Sequence, residues 1–239
     1  MNDVIRLLLL FGFMLLCYVL GSLNTAVIFS RTALKDDVRS HGSGNAGMTN
    51  MLRVGGAKAG AITFAGDCLK GVVAALLGRY LVYGLLFKEV CEAGTFFGDS
   101  GLCRLLGPLS LAYICGISCI IGHIFPLFFG LRGGKGVSTT FAVAMVVDWR
   151  AALLALSVFI VIFLFTRYVS LGSIIAAASL PVFTWFFSRY LNAEVDSVLS
   201  AVAVTVLSAL LAFILIAKHK ANIGRLLRGE EKKLQLGKK

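Results

Sequence analysis

The chain reads as an all-α, polytopic integral membrane protein with seven transmembrane helices, one of them short. Three observations carry that reading. Of the 239 residues, 58% are hydrophobic and only 15% are charged, and the mean hydropathy of +0.89 lies far outside the range of soluble domains. The apolar residues are also gathered into runs near the roughly 20 residues that a helix needs to cross about 30 Å of hydrocarbon. Lipid offers no hydrogen bonds, so such runs must be helices that satisfy their own backbone. No long polar segment leaves room for a soluble domain, and one membrane-embedded domain, 1–239, is expected.

The first run, Val4 to Phe29, is too long for a signal peptide and lacks a small-residue cleavage pattern, so it is kept as the first span. Ala59 to Phe87 and Leu105 to Phe129 follow. The fourth run, Val137 to Val147, is short: eleven residues at about 1.5 Å each cover roughly 16 Å. Re-entry is one reading. A full crossing is preferred, because only then do the flanking charges fall on consistent sides. Ala151 to Phe165, Val169 to Phe187 and Val198 to Ala217 complete the seven.

With the N-terminus outside, the inner segments hold Arg31, Lys35, Arg39, Arg53, Lys58, Arg132, Lys135, Arg167 and the tail cations Lys218, Lys220, Arg225, Arg228, Lys232, Lys233, Lys238 and Lys239, sixteen of the 23 cations. The outer loops hold Lys88, Arg104, Arg150 and Arg189 against Glu89, Glu92, Asp99, Asp148, Glu194 and Asp196. The positive-inside bias then makes the C-terminus cytoplasmic. The net charge of +11 is thus a topology signal. A nucleic-acid partner is not expected, since basic residues clustered with exposed aromatics or a recognition module are missing.

Cys17, Cys68, Cys115 and Cys119 lie within spans and read as small buried thiols. Cys91 and Cys103 flank an outer loop, with eleven residues between them. In an oxidising compartment that spacing permits a disulfide, and it equally permits two free thiols.

Three polar cassettes interrupt the apolar chain: GSGNAGMTNMLR (Gly42 to Arg53), GGKG (Gly133 to Gly136) and KHKANIGRLLRG (Lys218 to Gly229). Polar segments beside a lipid-embedded body must satisfy each other or bind something polar, so one phosphate-handling site on the inner face is expected. In the first, Ser43, Asn45, Thr49 and Asn50 offer hydrogen bonds and Arg53 can grip a phosphate bidentately. Gly42, Gly44 and Gly47 permit positive φ angles, which let amide N–H groups converge on an anion; a glycine-rich turn capping the second span is the plainer reading. GGKG does not fit the nucleotide-binding loop, because Gly136 follows Lys135. It opens the short fourth helix, whose N-terminus favours an anion.

Asp67 and Lys70, three residues apart within the second span, share a helical face and suit either a structural ion pair or a site role. Of the three histidines, His219 is the best acid–base candidate, with Asn222 one turn on; His123 reads as an interhelical hydrogen-bonder near Pro126, and His41 as a solvated loop residue.

DVRSHGSGNAGMTNMLR, DCLKG, GHIFPLFFGLRGGKGVST, SLGS (Ser170 to Ser173) and KHKANIGRLLRGEEKK, in that order, resemble the bacterial acyl-phosphate:glycerol-3-phosphate acyltransferases, the PlsY-type membrane enzymes. The resemblance covers essentially the whole chain. It implies transfer of a fatty acyl group from acyl phosphate to the sn-1 hydroxyl of glycerol 3-phosphate, giving lysophosphatidic acid and phosphate for phospholipid biosynthesis at the bacterial inner membrane. Acyl-CoA and acyl carrier protein are not the implied donors. It matches Ser43 and Arg53 to a functional serine and arginine, Gly133, Gly134, Lys135 and Gly136 to a glycerol 3-phosphate loop, and His219 and Asn222 to a third motif. Glu231 corresponds to a structural glutamate. Substrate-binding candidates are Asn45, Thr49, Asn50, Asp67, Lys70, Gly133, Gly134, Gly136 and Ser173. Met48, Ser138 and Asn24 depart from the usual residues, and the outer loop is longer than usual.

The residue inventory suits that chemistry. Phosphate leaves an acyl phosphate readily, so the protein must chiefly position two anions and offset their repulsion. The alcohol proton can pass to His219 or to the donor's own phosphate, the latter being preferred. Ser43 can be a nucleophile or a hydrogen-bond donor. No metal, organic cofactor or obligate protein partner is expected; the partners are the two substrates and the bilayer. An anion or phosphate-ester transporter or channel is the alternative, disfavoured because no paired inverted repeat is visible.

Overall fold

The computed structural model describes residues 1–94, 100–195 and 197–234. Asp99, Asp196, Lys238 and Lys239, used above for topology, lie outside these residues. All secondary structure among the described residues is helical. Six helices are long and apolar enough to cross a membrane, spanning Asp3–Ala33, Met48–Glu92, Pro108–Phe129, Trp149–Thr166, Val169–Tyr190 and Val198–Lys218, with Val137–Val147 a shorter apolar helix. Their outward faces are apolar: Leu8, Leu69, Phe165 and Phe213 are each about two-thirds exposed or more, as suits contact with lipid. The chain groups into two compact units, 1–147 and 148–239.

In the first unit, α1 (Asp3–Ser22) does not run on to Phe29 as the unbroken apolar run suggested. It stops before Asn24, whose side chain accepts from the Val27 amide and caps α2 (Thr25–Ala33). A buried polar side chain that serves the backbone two or three residues ahead is what ends one helix and starts the next. α3 (Met48–Leu76) carries a second break, at Gly56, with φ 76° and ψ −174°. Met48 to Gly55 therefore form a separate short helix, and the spanning part begins close to the expected Ala59. It continues through a π-helical segment, Leu77–Phe87, into α4 (Lys88–Glu92).

After α5 (Ser100–Leu105) comes α6 (Pro108–Ile124), the most buried helix of this unit, packed against α1, α3 and α7 (Val137–Val147). α1 and α6 approach so closely that a Cβ on Gly21 would lie 1.9 Å from the Cys119 carbonyl oxygen, and one on Gly122 would lie 2.0 Å from that of Tyr18. Only glycine allows this separation.

In the second unit, α9 (Val169–Tyr190) packs between α8 (Trp149–Thr166) and α10 (Val198–Lys218). Arg167, with φ 62°, turns the chain between α8 and α9. His219 ends α10 and begins α11 (Lys220–Leu227), and the tail folds back so that the Leu234 amide donates to the Arg167 carbonyl at 3.0 Å.

Gly122→Val would force α1 away from α6, at a cost of about 1–3 kcal/mol or more. We expect a clearly lower Tm in detergent for this variant. Gly12→Ala, where a Cβ would meet nothing within 4 Å, should not lower it.

Candidate active site

In the first unit the first cassette is held by a carboxylate just upstream of it. Asp37 accepts from Arg39 Nε at 3.0 Å and Nη2 at 2.8 Å, and from Arg31 Nη2 at 2.9 Å. The hydrogen bonds from Arg39 outweigh the upward push of burial and hold the Asp37 carboxyl well below the usual carboxylate range. Arg39 Nη1 then reaches the carbonyls of Phe129, at 2.7 Å, and Arg132, at 3.0 Å. The first cassette is thereby fastened to the segment that leads into GGKG.

Asn50, 1% exposed, organises the glycine-rich turn from below. Its Oδ1 accepts from the Ser43 amide at 2.8 Å, and its Nδ2 donates to the carbonyls of Val38, at 3.0 Å, and His41, at 3.1 Å. Gly42 and Gly44 adopt φ of +62° and +70°, and a Cβ on Gly42 would lie 2.3 Å from Asn50 Oδ1. Gly47 is extended and caps α3, so the positive φ expected there is not adopted. The expected nest of outward amides is not formed either. The Ser43, Gly44 and Gly47 amides bond to Asn50 Oδ1 and to the His41 and Asn45 carbonyls, because a loop folded on itself must satisfy its own donors. Ser43 and Arg53 are exposed, and Asn45 and Thr49 half-buried.

Beneath GGKG lies a charged cluster. Asp67, Lys70 and His123 are 2%, 4% and 2% exposed. Lys70 Nζ is 2.9 Å from Asp67 Oδ1 and 2.9 Å from His123 Nδ1, and donates at 3.2 Å to the carbonyls of Gly21 and Leu23 at the end of α1. An ammonium can only donate, so His123 Nδ1 is the acceptor and Nε2 carries the ring proton. The His123 carbonyl accepts from the Gly134 amide at 3.2 Å, and the Ile124 carbonyl from that of Gly133 at 3.1 Å. A Cβ on Gly134 would lie 2.1 Å from His123 Nε2 and 2.7 Å from the Ala46 carbonyl oxygen. The same Ala46 carbonyl accepts from Asn24 Nδ2 at 3.4 Å. Gly134 therefore sits where the first cassette, the second cassette and the buried charges meet. Gly136, with φ +82°, receives the Thr140 amide at 2.8 Å and starts α7, so Lys135 stands beside the open amide end of that helix.

In the second unit Glu231, whose side chain is 9% exposed, gathers the third cassette. Its Oε1 accepts from Ser170 Oγ at 2.7 Å and Asn222 Nδ2 at 2.6 Å, and its Oε2 from Arg225 Nε at 2.7 Å. His219 is 2% exposed, and its Nδ1 lies 2.8 Å from the Leu215 carbonyl. A carbonyl only accepts, so Nδ1 holds a proton. Ser173 donates to the Val169 carbonyl of its own helix at 2.9 Å.

Among the sequence candidates of the first unit, the structure joins Ser43 to Asn50 and Asp67 to Lys70, and sets Gly134 against the Ala46 carbonyl of the first cassette; in the second, Asn222 meets Glu231 and Ser173 bonds to its own helix. It also assigns work within the fold to Asn50, Asp67 and Lys70. Arg39 and Ser170 went unremarked as site residues. The signal for Ser170 is its place in SLGS and that for Arg39 its place in DVRSHGSGNAGMTNMLR, though a loop arginine gives no hint of which carbonyls it will reach. Among the described residues no three His, Cys, Asp or Glu side chains gather to hold a metal ion.

Residues 11–229 match the family model described as glycerol-3-phosphate acyltransferase. A glycerol-3-phosphate acyltransferase of Thermoanaerobacter sp. (strain X514) is 36% identical over 220 residues, 92% of this chain and 93% of the relative. That of Shewanella loihica is 35% identical over 232 residues, 97% of this chain and 96% of the relative. Among solved structures, the chain is similar to PlsY (YgiH), an integral membrane glycerol 3-phosphate acyltransferase, in its glycerol 3-phosphate form. The TM-score is 0.71 at 30% identity, covering 95% of this chain and 96% of that one. The lysophosphatidic acid form matches with the same TM-score.

Two expectations follow from the geometry. Asp67→Asn leaves Lys70 as an uncompensated buried cation, at a cost of about 3–5 kcal/mol; thermal unfolding should show a large loss, and Asp67→Asn with Lys70→Met should recover part of it. For Glu231, burial pushes the carboxyl up, but hydrogen bonds from Ser170, Asn222 and Arg225 outweigh it and hold the native value below the ordinary 4.5. Such a group adds stability that is complete above that ordinary value and is lost as pH falls through the depressed native one. Glu231→Gln should therefore lower Tm most near neutral pH and converge with the parent protein in acid.

Proposed function

The chain belongs to the glycerol-3-phosphate acyltransferase family, and from that premise we propose that it takes its acyl group from acyl phosphate, at the cytoplasmic face of a bacterial inner membrane. It is a membrane glycerol-3-phosphate acyltransferase, an enzyme whose substrate is glycerol 3-phosphate and whose solvent is the bilayer. The observation that carries the mechanistic reading is the junction at Gly134, where the first cassette, through Ala46, abuts the loop that holds Lys135.

Two phosphate-bearing substrates repel each other, so both need cations at fixed positions. Arg53 and Lys135 are the anchors. Arg31 and Arg39 are engaged by Asp37, whereas Arg53 is exposed on its short helix and its guanidinium suits bidentate recognition of phosphate. Lys135 acts together with the open amides of α7. Ser43 donates a hydrogen bond to phosphate or to the developing oxyanion, and Asn45 and Thr49 line the same cassette. The sn-1 hydroxyl oxygen attacks the acyl carbonyl carbon, the bond from that carbon to the phosphate oxygen breaks, and phosphate departs with the electron pair. Lysophosphatidic acid is the other product.

A phosphate oxygen of the donor takes the alcohol proton, and His219 orients substrate together with Asn222. Support for this division comes from His219 Nδ1, which is bonded to a backbone carbonyl. A carboxylate there would stabilise an imidazolium in the manner of a catalytic triad. The uncharged carbonyl fixes the tautomer instead. The acyl chain enters sideways from the lipid, and the cation-rich inner loops support a cytoplasmic C-terminus. No cofactor is called for, because the donor arrives activated.

Purified protein in lipid should convert palmitoyl phosphate and glycerol 3-phosphate to lysophosphatidic acid and phosphate in equal amounts, and give no product with palmitoyl-CoA. Folded protein that forms no lysophosphatidic acid would overturn the reading. In the same assay His219→Gln should retain measurable turnover with an unchanged pH profile. Loss of an ionisation from that profile would instead make His219 the base.

A further inference from the structure

We propose that Cys91 and Cys103 are a disulfide-forming pair that staples the outer end of the first unit; this rests on the orientation proposed above, which puts that end in an oxidising compartment. The spacing alone left the pairing open. The structure adds that both side chains belong to one apolar cluster. Cys103, 8% exposed, is part of an apolar cluster with Leu10, Leu86 and Phe87, and Cys91 packs on the same cluster. Two thiols in one such cluster can close an S–S bond of about 2.05 Å where their Cα atoms lie within about 7 Å.

Accessibility separates this pair from the other cysteines. Cys17 and Cys115 also share that cluster, but both are fully buried in helices that cross the membrane. Cys119 is fully buried, and Cys68 Sγ faces the Ser138 carbonyl at 3.5 Å. Cys91 is half-buried, so it is the thiol that an oxidant meets first. The co-reactant is a disulfide, carried by a protein oxidant or by oxidised glutathione. The Cys91 thiolate attacks one of its sulfurs, forming a mixed disulfide and releasing the other sulfur as thiolate. The Cys103 thiolate then attacks Cys91 Sγ, and the remaining sulfur leaves as thiolate. Two electrons and two protons pass from the cysteine pair to the oxidant, which becomes a dithiol. The new bond ties α4 to α5.

The test uses membranes whose thiols are alkylated at lysis, followed by digestion and mass spectrometry without reductant. A cross-linked peptide joining Cys91 to Cys103, two hydrogens lighter than the sum of its parts and split by reductant, is expected, with Cys17, Cys68, Cys115 and Cys119 all recovered as thiols. Reductant should also lower the Tm of the purified protein and leave that of the Cys91→Ala/Cys103→Ala variant unmoved. Recovery of Cys91 and Cys103 as alkylated thiols overturns the staple. A membrane-impermeant maleimide applied to intact spheroplasts carrying Cys103→Ala then shows which premise failed. If Cys91 is labelled, the orientation stands and only the pairing is wrong; if labelling needs permeabilisation, the orientation falls as well.

Discussion

The buried cluster of Lys70, Asp67 and His123 is the constraint on which the first unit depends. A cation inside a lipid-embedded bundle must be compensated, or it costs several kcal/mol, and the partners recruited for that purpose come from every segment that matters. Asp67 supplies the charge from one turn away, the carbonyls at the end of α1 supply acceptors, and the His123 ring supplies a third. The break before Asn24 frees the α1 carbonyls that an unbroken helix would have consumed. On the far side of His123 the GGKG loop lies directly on its backbone and ring. One electrostatic requirement thus fixes a helix break, a helix pair and the height of a loop.

The same economy runs through the polar cassettes. The first and third are each held by a side chain, within the cassette or just outside it, whose hydrogen bonds are directed inward. Asn50 closes the first turn, Asp37 gathers two arginines, and Glu231 binds Ser170, Asn222 and Arg225. The carboxylates beside these cation-rich loops have a structural role: Asp37 engages Arg31 and Arg39, and Glu231 engages Arg225.

The helical membrane architecture was legible because a bilayer imposes a length on apolar runs, and six long helices with one short one are observed. The break within the first run was not, since Leu23 and Asn24 hardly disturb its hydropathy; the clue was one asparagine able to cap. Asp67 and Lys70 could be paired from their spacing, but the addition of His123 joins residues more than fifty positions apart and depends on how α3 meets α6. Asn50 stood out correctly as polar and well placed, yet residue type cannot distinguish an amide that faces a ligand from one spent on the turn beneath it. Only burial and partners separate the two.

Gly56 has a consequence for how the enzyme lives with different lipids. A helix adjusts to bilayer thickness by tilting, and a continuous hydrogen-bond ladder carries that tilt to everything mounted on it. At Gly56 the ladder is interrupted by a backbone conformation that is cheap only for glycine. The turn that bears Arg53 is oriented instead by Asn50 and by the buried Met51. The membrane helix can follow changes in lipid composition or growth temperature while Arg53, the proposed phosphate anchor, keeps its aim.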